Sequence, residues 1–146
     1  MIALLQRVSE ARVDVDGETV GQIQAGILAL VAVERGDGEA QASRMLERIL
    51  GYRIFADDQG RMNRSLKDTG GGLLLVSQFT LAADTASGMR AGFSGAATPE
   101  DGEREFSRLV EMARAAYSPV ETGRFRTHMQ VHLINDGPVT FHLRVA

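Results

Sequence analysis

The sequence predicts an α/β fold in one domain spanning residues 1-146, a mixed, largely antiparallel, barrel-like sheet covered by two helices. Three observations carry that expectation. Ile27 to Val33 is a near-continuous apolar run, as in a strand buried on both faces. Two segments repeat apolar residues at helical spacing. The links between the early strand-like runs are too short for parallel crossovers, which need a dozen or more residues. The length of 146 residues suits one domain with a real core, and no repeat, low-complexity tract or linker divides it.

Ile2 to Val8 and Ala11 to Val15 read as two short strands, and Asp16-Gly17 as a hairpin turn into Thr19 to Gln24. Asp37 is placed to cap a helix whose Ala42, Met45, Leu46 and Ile49 share a face. Tyr52 to Phe55 reads as a strand closed by the turn Asp57 to Gly60, and Gly70-Gly71-Gly72 as a flexible turn before a strand from Leu73 to Phe79. Ala82 to Ala97 is Gly-, Ala-, Ser- and Thr-rich, with Met89, Arg90 and Phe93 as its bulky residues. It reads as a surface loop of the kind that carries function. Thr98-Pro99-Glu100-Asp101 starts a second helix with a hydroxyl cap, a first-position proline and first-turn acids. Phe106, Leu109, Val110, Ala113 and Tyr117 line its inner face, and Ser118-Pro119 ends it. The alternations Met129, Val131, Leu133 and Val139, Phe141, Leu143, Val145 predict two last strands joined through Asn135-Asp136-Gly137-Pro138.

Composition narrows the function. The chain is 44% hydrophobic and 24% charged, with no apolar run of membrane-spanning length, and its first residues lack the features of a signal peptide. It has no cysteine, which removes disulfide and thiolate chemistry; a cytoplasmic protein is expected. A net charge of −3 argues against broad nucleic-acid binding and leaves room for a local patch. No GxSxG elbow, Walker loop or GxGxxG is present. His128, His132 and His142 admit a three-histidine metal site, although polar strand positions explain them better. Asp57-Asp58 reads as a turn, and Glu100, Asp101, Glu103 and Glu105 as a solvated helix start.

Two stretches remain. In Ser77-Gln78-Phe79-Thr80-Leu81 an apolar strand runs out into the loop, where backbone N–H groups beyond the ladder can form an oxyanion hole. An ordinary polar strand end explains it slightly better when taken alone. Asn135-Asp136-Gly137-Pro138 taken alone reads as a tight turn.

Together these two stretches, within a match that runs from Met1-Ile2-Ala3-Leu4-Leu5-Gln6-Arg7-Val8 through Gly51-Tyr52-Arg53-Ile54-Phe55 to the last strand, resemble the D-aminoacyl-tRNA deacylase (D-tyrosyl-tRNA deacylase) family. The resemblance implies a homodimeric hydrolase, without cofactor or metal, that cleaves the ester of D-aminoacyl-tRNA, and of glycine mischarged on tRNA(Ala), and spares L-aminoacyl-tRNA. It implies active sites at the subunit interface that take the 3′ end of aminoacyl-tRNA, with no membrane or DNA partner. Ser77, Gln78, Phe79 and Thr80 would be the catalytic stretch, with the Phe79 and Thr80 amides as polarising donors and Gln78 shaping the pocket. Gly137 and Pro138, joined by a cis bond, would reach in from the other subunit and reject L side chains with bare backbone; Arg7 would hold them, and Phe125 and Met129 would line the pocket. The tRNA's adjacent ribose hydroxyl would assist the reaction, with Thr80 as a covalent nucleophile the second mechanism. The competing classes are a non-enzymatic RNA- or ligand-binding dimer and a histidine metallohydrolase. Arg7, Arg53, Arg61, Arg64, Lys67 and Arg90 are candidates for a phosphate-binding patch.

Overall fold

The computed structural model describes all of residues 1–146. β1 (Ile2–Val15) organises the sheet. Its first half pairs antiparallel with β3 (Gly26–Ala32), its second half with β2 (Glu18–Ile23), and nearly its whole length with β8 (Gln130–Arg144). The apolar β6 (Gly72–Ser77) runs parallel to β3, and β7 (Val120–Thr122) parallel to β6. β7 returns against β2: a Cβ placed on Gly21 would lie 2.2 Å from the Thr122 carbonyl oxygen. The sheet is thus mixed, largely antiparallel and nearly closed. β4 (Phe55–Ala56) and β5 (Met62–Arg64) form a separate small hairpin.

Strand alternation splits the core in two. Ile27, Ala29 and Val31 of β3, with Leu73 and Leu75 of β6, meet the helices; Leu28, Leu74 and Val76 point the other way and pack with Val13, Val15 and Ile23. The apolar run of β3 is therefore buried on both faces, as its composition predicts. α1 (Glu39–Gly51) covers the first face with Ala42, Met45, Leu46, Ile49 and Leu50, and α3 (Pro99–Ala116) with Phe106, Leu109, Val110 and Ala113. The α3 start is as expected: Thr98 Oγ1 accepts the Asp101 N–H at 3.2 Å, with Pro99 at the first helical position.

Several local expectations change. The two early runs are one strand. The parity of its buried residues switches between Leu5 and Ala11, because two β1 steps, Val8 to Glu10, span a single β8 step. A third helix, the single turn α2 (Leu66–Thr69), is boxed by Ser65 and Asp68. Asp37 is not the cap of α1: its carboxylate accepts the Glu34 N–H, while Gly38 holds the cap position and donates to Gln41. Only Phe55 of the Tyr52 to Phe55 segment pairs as a strand, since Ile54 is drawn into the core. β6 stops at Ser77, and Phe79–Ala82 winds into a 3-10 turn. No helix is long and apolar enough to cross a membrane.

β3 and β6 approach so closely at their starts that a Cβ on Gly26 would lie 2.0 Å from the Gly72 carbonyl oxygen, an atom fixed by the ladder. Gly26→Ala is expected to destabilise the fold by roughly 2–3 kcal/mol, read as a lower urea midpoint at unchanged slope. At the far end of β3 the Glu34 carboxylate receives Arg144 Nε and Nη2, both at 3.0 Å, which ties β8 down. The Arg144 hydrogen bond holds the Glu34 carboxyl below its ordinary range, so its contribution is complete above the unfolded carboxyl pKa and is lost as pH falls through the folded value. Glu34→Gln is accordingly expected to flatten the acid limb of a plot of Tm against pH.

Candidate active site

The ladder of β6 ends with Gln78 N–H bonded to the Val31 carbonyl at 2.7 Å, after which the chain bends into the 3-10 turn. The first amides of such a turn have no partner within it, and those of Phe79 and Thr80 donate to no other backbone group. The Gln78 side-chain amide donates to Thr80 Oγ1 at 2.5 Å.

Beside this strand end lies a cavity of about 410 Å³. Ser77, Gln78 and Phe79 line one side, the start of α3 (Thr98, Pro99, Gly102) another, and the segment Phe125 to Met129 a third. Val33, Val76, Ala97 and Val131 supply apolar wall. No carboxylate lines it; its ionisable side chains are Arg126 and His128 alone. Backbone amides without a backbone partner thus stand beside an apolar cleft whose lining holds no acid–base pair. Phe79, largely exposed, packs against Phe93 of the Ala82 to Ala97 loop, the rings tilted by 45° with centroids 5.2 Å apart.

Of the residues singled out from the sequence, the cavity gathers Ser77, Gln78, Phe79, Phe125 and Met129; Thr80 stands beside it through Gln78. Gly137, Pro138 and Arg7 form a second cluster on the same chain. Val131 at the cavity lies opposite Val13 and Asn135 opposite Val8, a separation of about 16 Å along β1 at strand rise.

Asn135 to Pro138 is not a turn between two strands. β8 is continuous, and both of its halves pair with β1. Gln6 faces Thr140 and Val8 faces Asn135, so five steps on β8 answer two on β1 and three surplus residues bulge outward. Proline, having no N–H to give to a ladder, fits such a bulge. Asn135 spans it: Oδ1 accepts the Val139 N–H at 2.7 Å, and Nδ2 donates to the Val139 carbonyl at 3.2 Å and Thr140 Oγ1 at 3.0 Å. Arg7 fixes it from below, Nε donating to the Asp136 carbonyl at 2.8 Å and Nη1 to the Ile54 carbonyl at 2.9 Å. Gly137 and Pro138 are exposed and joined by a cis peptide. Gly137 has φ +151°, and a Cβ there would lie 2.7 Å from Val139 Cγ2.

The histidines do not converge. His132 Nε2 is 3.3 Å from Asp14 Oδ2, His142 lies opposite Leu4, and His128 faces the cavity; no group of three His, Cys, Asp or Glu side chains is arranged to hold a metal ion. Of the six cations considered for a phosphate patch, Arg53, Arg61, Arg64 and Lys67 lie on the exposed β4–β5–α2 segment, while Arg90 sits on the separate Ala82 to Ala97 loop. Cavity residues that the sequence did not suggest for this site are Thr98, Pro99, Gly102, Arg126, Thr127 and His128. Thr98 and Pro99 were legible only as a helix start, and Gly102 and Arg126 carry no sequence signal.

The family model described as D-Tyr-tRNA(Tyr) deacylase matches residues 4–144. A D-aminoacyl-tRNA deacylase of Stenotrophomonas maltophilia (strain K279a) is 67% identical over 145 residues, covering 99% of each chain. One of Thioalkalivibrio sulfidiphilus (strain HL-EbGR7) is 68% identical, covering 99% of this chain and 97% of that one. Among solved structures, the c-Myc DNA Unwinding Element Binding Protein superposes with a TM-score of 0.95 at 36% identity, over 100% of this chain and 99% of that one. A structure described as a probable eukaryotic D-amino acid tRNA deacylase superposes with a TM-score of 0.75 at 14% identity, a likeness of fold. By family model, by relatives and by fold, this chain belongs to the D-Tyr-tRNA(Tyr) deacylase family.

Proposed function

We infer that this chain is a hydrolase that cleaves the ester joining a D-amino acid to the 3′ end of tRNA. The observation that carries the reading is the cleft in which the Ser77 to Thr80 strand end meets Phe125 and Met129, in a chain two-thirds identical to D-aminoacyl-tRNA deacylases. An aminoacyl ester is already activated, so a positioned water and two backbone donors can suffice. The Phe79 and Thr80 amides are the proposed donors, with Gln78 shaping the pocket. The ribose hydroxyl beside the ester is the proposed assisting group, which makes the RNA part of the catalyst. Thr80 is not assigned as nucleophile: its oxygen accepts from Gln78, and no histidine or carboxylate is bonded to it as a base.

Selection of the hand is assigned to a second subunit. In a homodimer the Gly137–Pro138 bulge of one chain closes the cavity of the other. Three features support this reading: the bulge is exposed, it is held rigidly by Arg7 and Asn135, and it lies well away from the cavity of its own chain. A glycine there leaves carbonyl oxygens unshielded as acceptors for the substrate's ammonium group. An L side chain would then collide with backbone that cannot move aside, while hydrogen or a D side chain fits. On this logic glycine mischarged on tRNA(Ala) is also a substrate.

With catalytic amounts of protein, D-Tyr-tRNA and Gly-tRNA are expected to be deacylated and L-Tyr-tRNA spared, with kcat/KM differing by more than about a hundredfold. Rates equal to buffer for all three would mark a binding module instead. Thr80→Val is expected to keep kcat within roughly tenfold of the parent, since it removes one hydrogen bond and no covalent step. Abolished turnover in a folded variant would restore the nucleophile mechanism.

A further inference from the structure

The cavity wall contains an unassigned cationic segment. Arg126 and His128 line the cavity, and Arg124 lies two residues before Arg126. None of the three has a carboxylate within 4.0 Å, although most other arginines in the molecule are tied to acids or carbonyls. Arg126 is exposed as well as lining the cavity, so it is accessible to an incoming ligand.

Its backbone is also unusual. Arg126 has φ +59°, and the only other non-glycine residue with positive φ is Asp16, in the Asp16-Gly17 hairpin turn, where such a conformation is ordinary. Arg126 also sits in a turn, Phe125–Arg126, but as an arginine where glycine or asparagine usually takes such an angle. The loop around it is drawn together by Thr127 Oγ1 donating to the Arg124 carbonyl at 2.9 Å. A disfavoured backbone conformation held beside a cleft is a pointer to function.

The substrate supplies the matching charge. If the reading above holds, on which this inference rests, the group entering the cavity is a nucleoside ester whose 5′ oxygen carries a phosphate. A cavity of about 410 Å³ accommodates a group of nucleoside size, so that phosphate must leave at the rim. A chain of net charge −3 gains nothing from its overall field, and local cations at the point of passage must do the work. A guanidinium matches phosphate oxygens with two parallel donors. We propose that Arg126, with His128 beside it, binds the phosphate on the 5′ side of the esterified terminal nucleoside, and so sets the depth to which the RNA end enters the cavity.

The test uses the full-length protein with 3′-O-D-tyrosyl-adenosine, the same ester bearing a 5′-phosphate, and D-Tyr-tRNA. The parent is expected to prefer the phosphorylated ester by roughly tenfold or more in kcat/KM, mostly through KM. Arg126→Asn, chosen because asparagine tolerates a left-handed backbone, is expected to bring that preference close to unity, with Arg126→Lys between the two. A parent that treats the two esters alike overturns the inference. So does an Arg126→Asn variant that keeps the preference, or one that loses activity equally on both esters, which would mean a structural role. A parent that cleaves neither ester nor D-Tyr-tRNA would overturn the proposed function itself.

Discussion

Three surplus residues on β8 cannot be matched to β1, and the distinctive geometry of the molecule follows from how they are held. An unpaired bulge in a sheet is ordinarily soft, because its amides and carbonyls have lost their ladder partners. Here the side chains of Asn135 and Arg7 replace the ladder. The first closes the bulge across its own neck, and the second clamps its base to the Ile54 carbonyl. Arg7 lies on β1, the strand that pairs with β2, β3 and β8, so the bulge is anchored to the stiffest part of the fold. The steric filter proposed for this bulge needs that stiffness, since a backbone that yields by an ångström rejects nothing.

The cavity is built on the same scaffold. Its proposed donors, the Phe79 and Thr80 amides, begin one residue beyond the last ladder bond, from Gln78 to Val31, and its opposite side is the capped start of α3. Both are ends of well-packed elements, which hold donors more accurately than a loop would. The absence of any carboxylate from the lining fits chemistry in which the substrate arrives activated and the protein orients it. It also leaves the rim electrostatically open to a polyanion, in a molecule whose overall charge would repel one.

Much of this was legible in the residues. Period-two and helical patterns located the strands and the two long helices, and Thr98-Pro99 marked the start of α3. Ser77 to Phe79, Phe125 and Met129 do meet in one cleft. What failed has physical causes. Bulges conserve hydrophobic alternation on either side and add residues between, so Asn135 to Pro138 imitated a hairpin turn and Ser9-Glu10 imitated a gap between strands. Asp37 is a good cap by type, but it was drawn to the Glu34 amide instead. Ile54 was claimed by the core before it could pair. Arg126 was invisible because its meaning lies in a backbone angle and a position on a wall, neither of which is written in residue type.

The central claim is that each active site is shared, a cavity from one subunit closed by the bulge of the other. Mixing two inactive variants tests it directly. Gly137→Ala disturbs only the bulge, and Phe79→Pro removes one proposed donor at a helical position where proline is tolerated. Mixed dimers contain one site with both halves intact, so after equal subunit exchange about a quarter of parental D-Tyr-tRNA deacylation should return. Activity no higher than that of the two variants measured separately, in a sample shown to contain mixed dimers, would contradict the account.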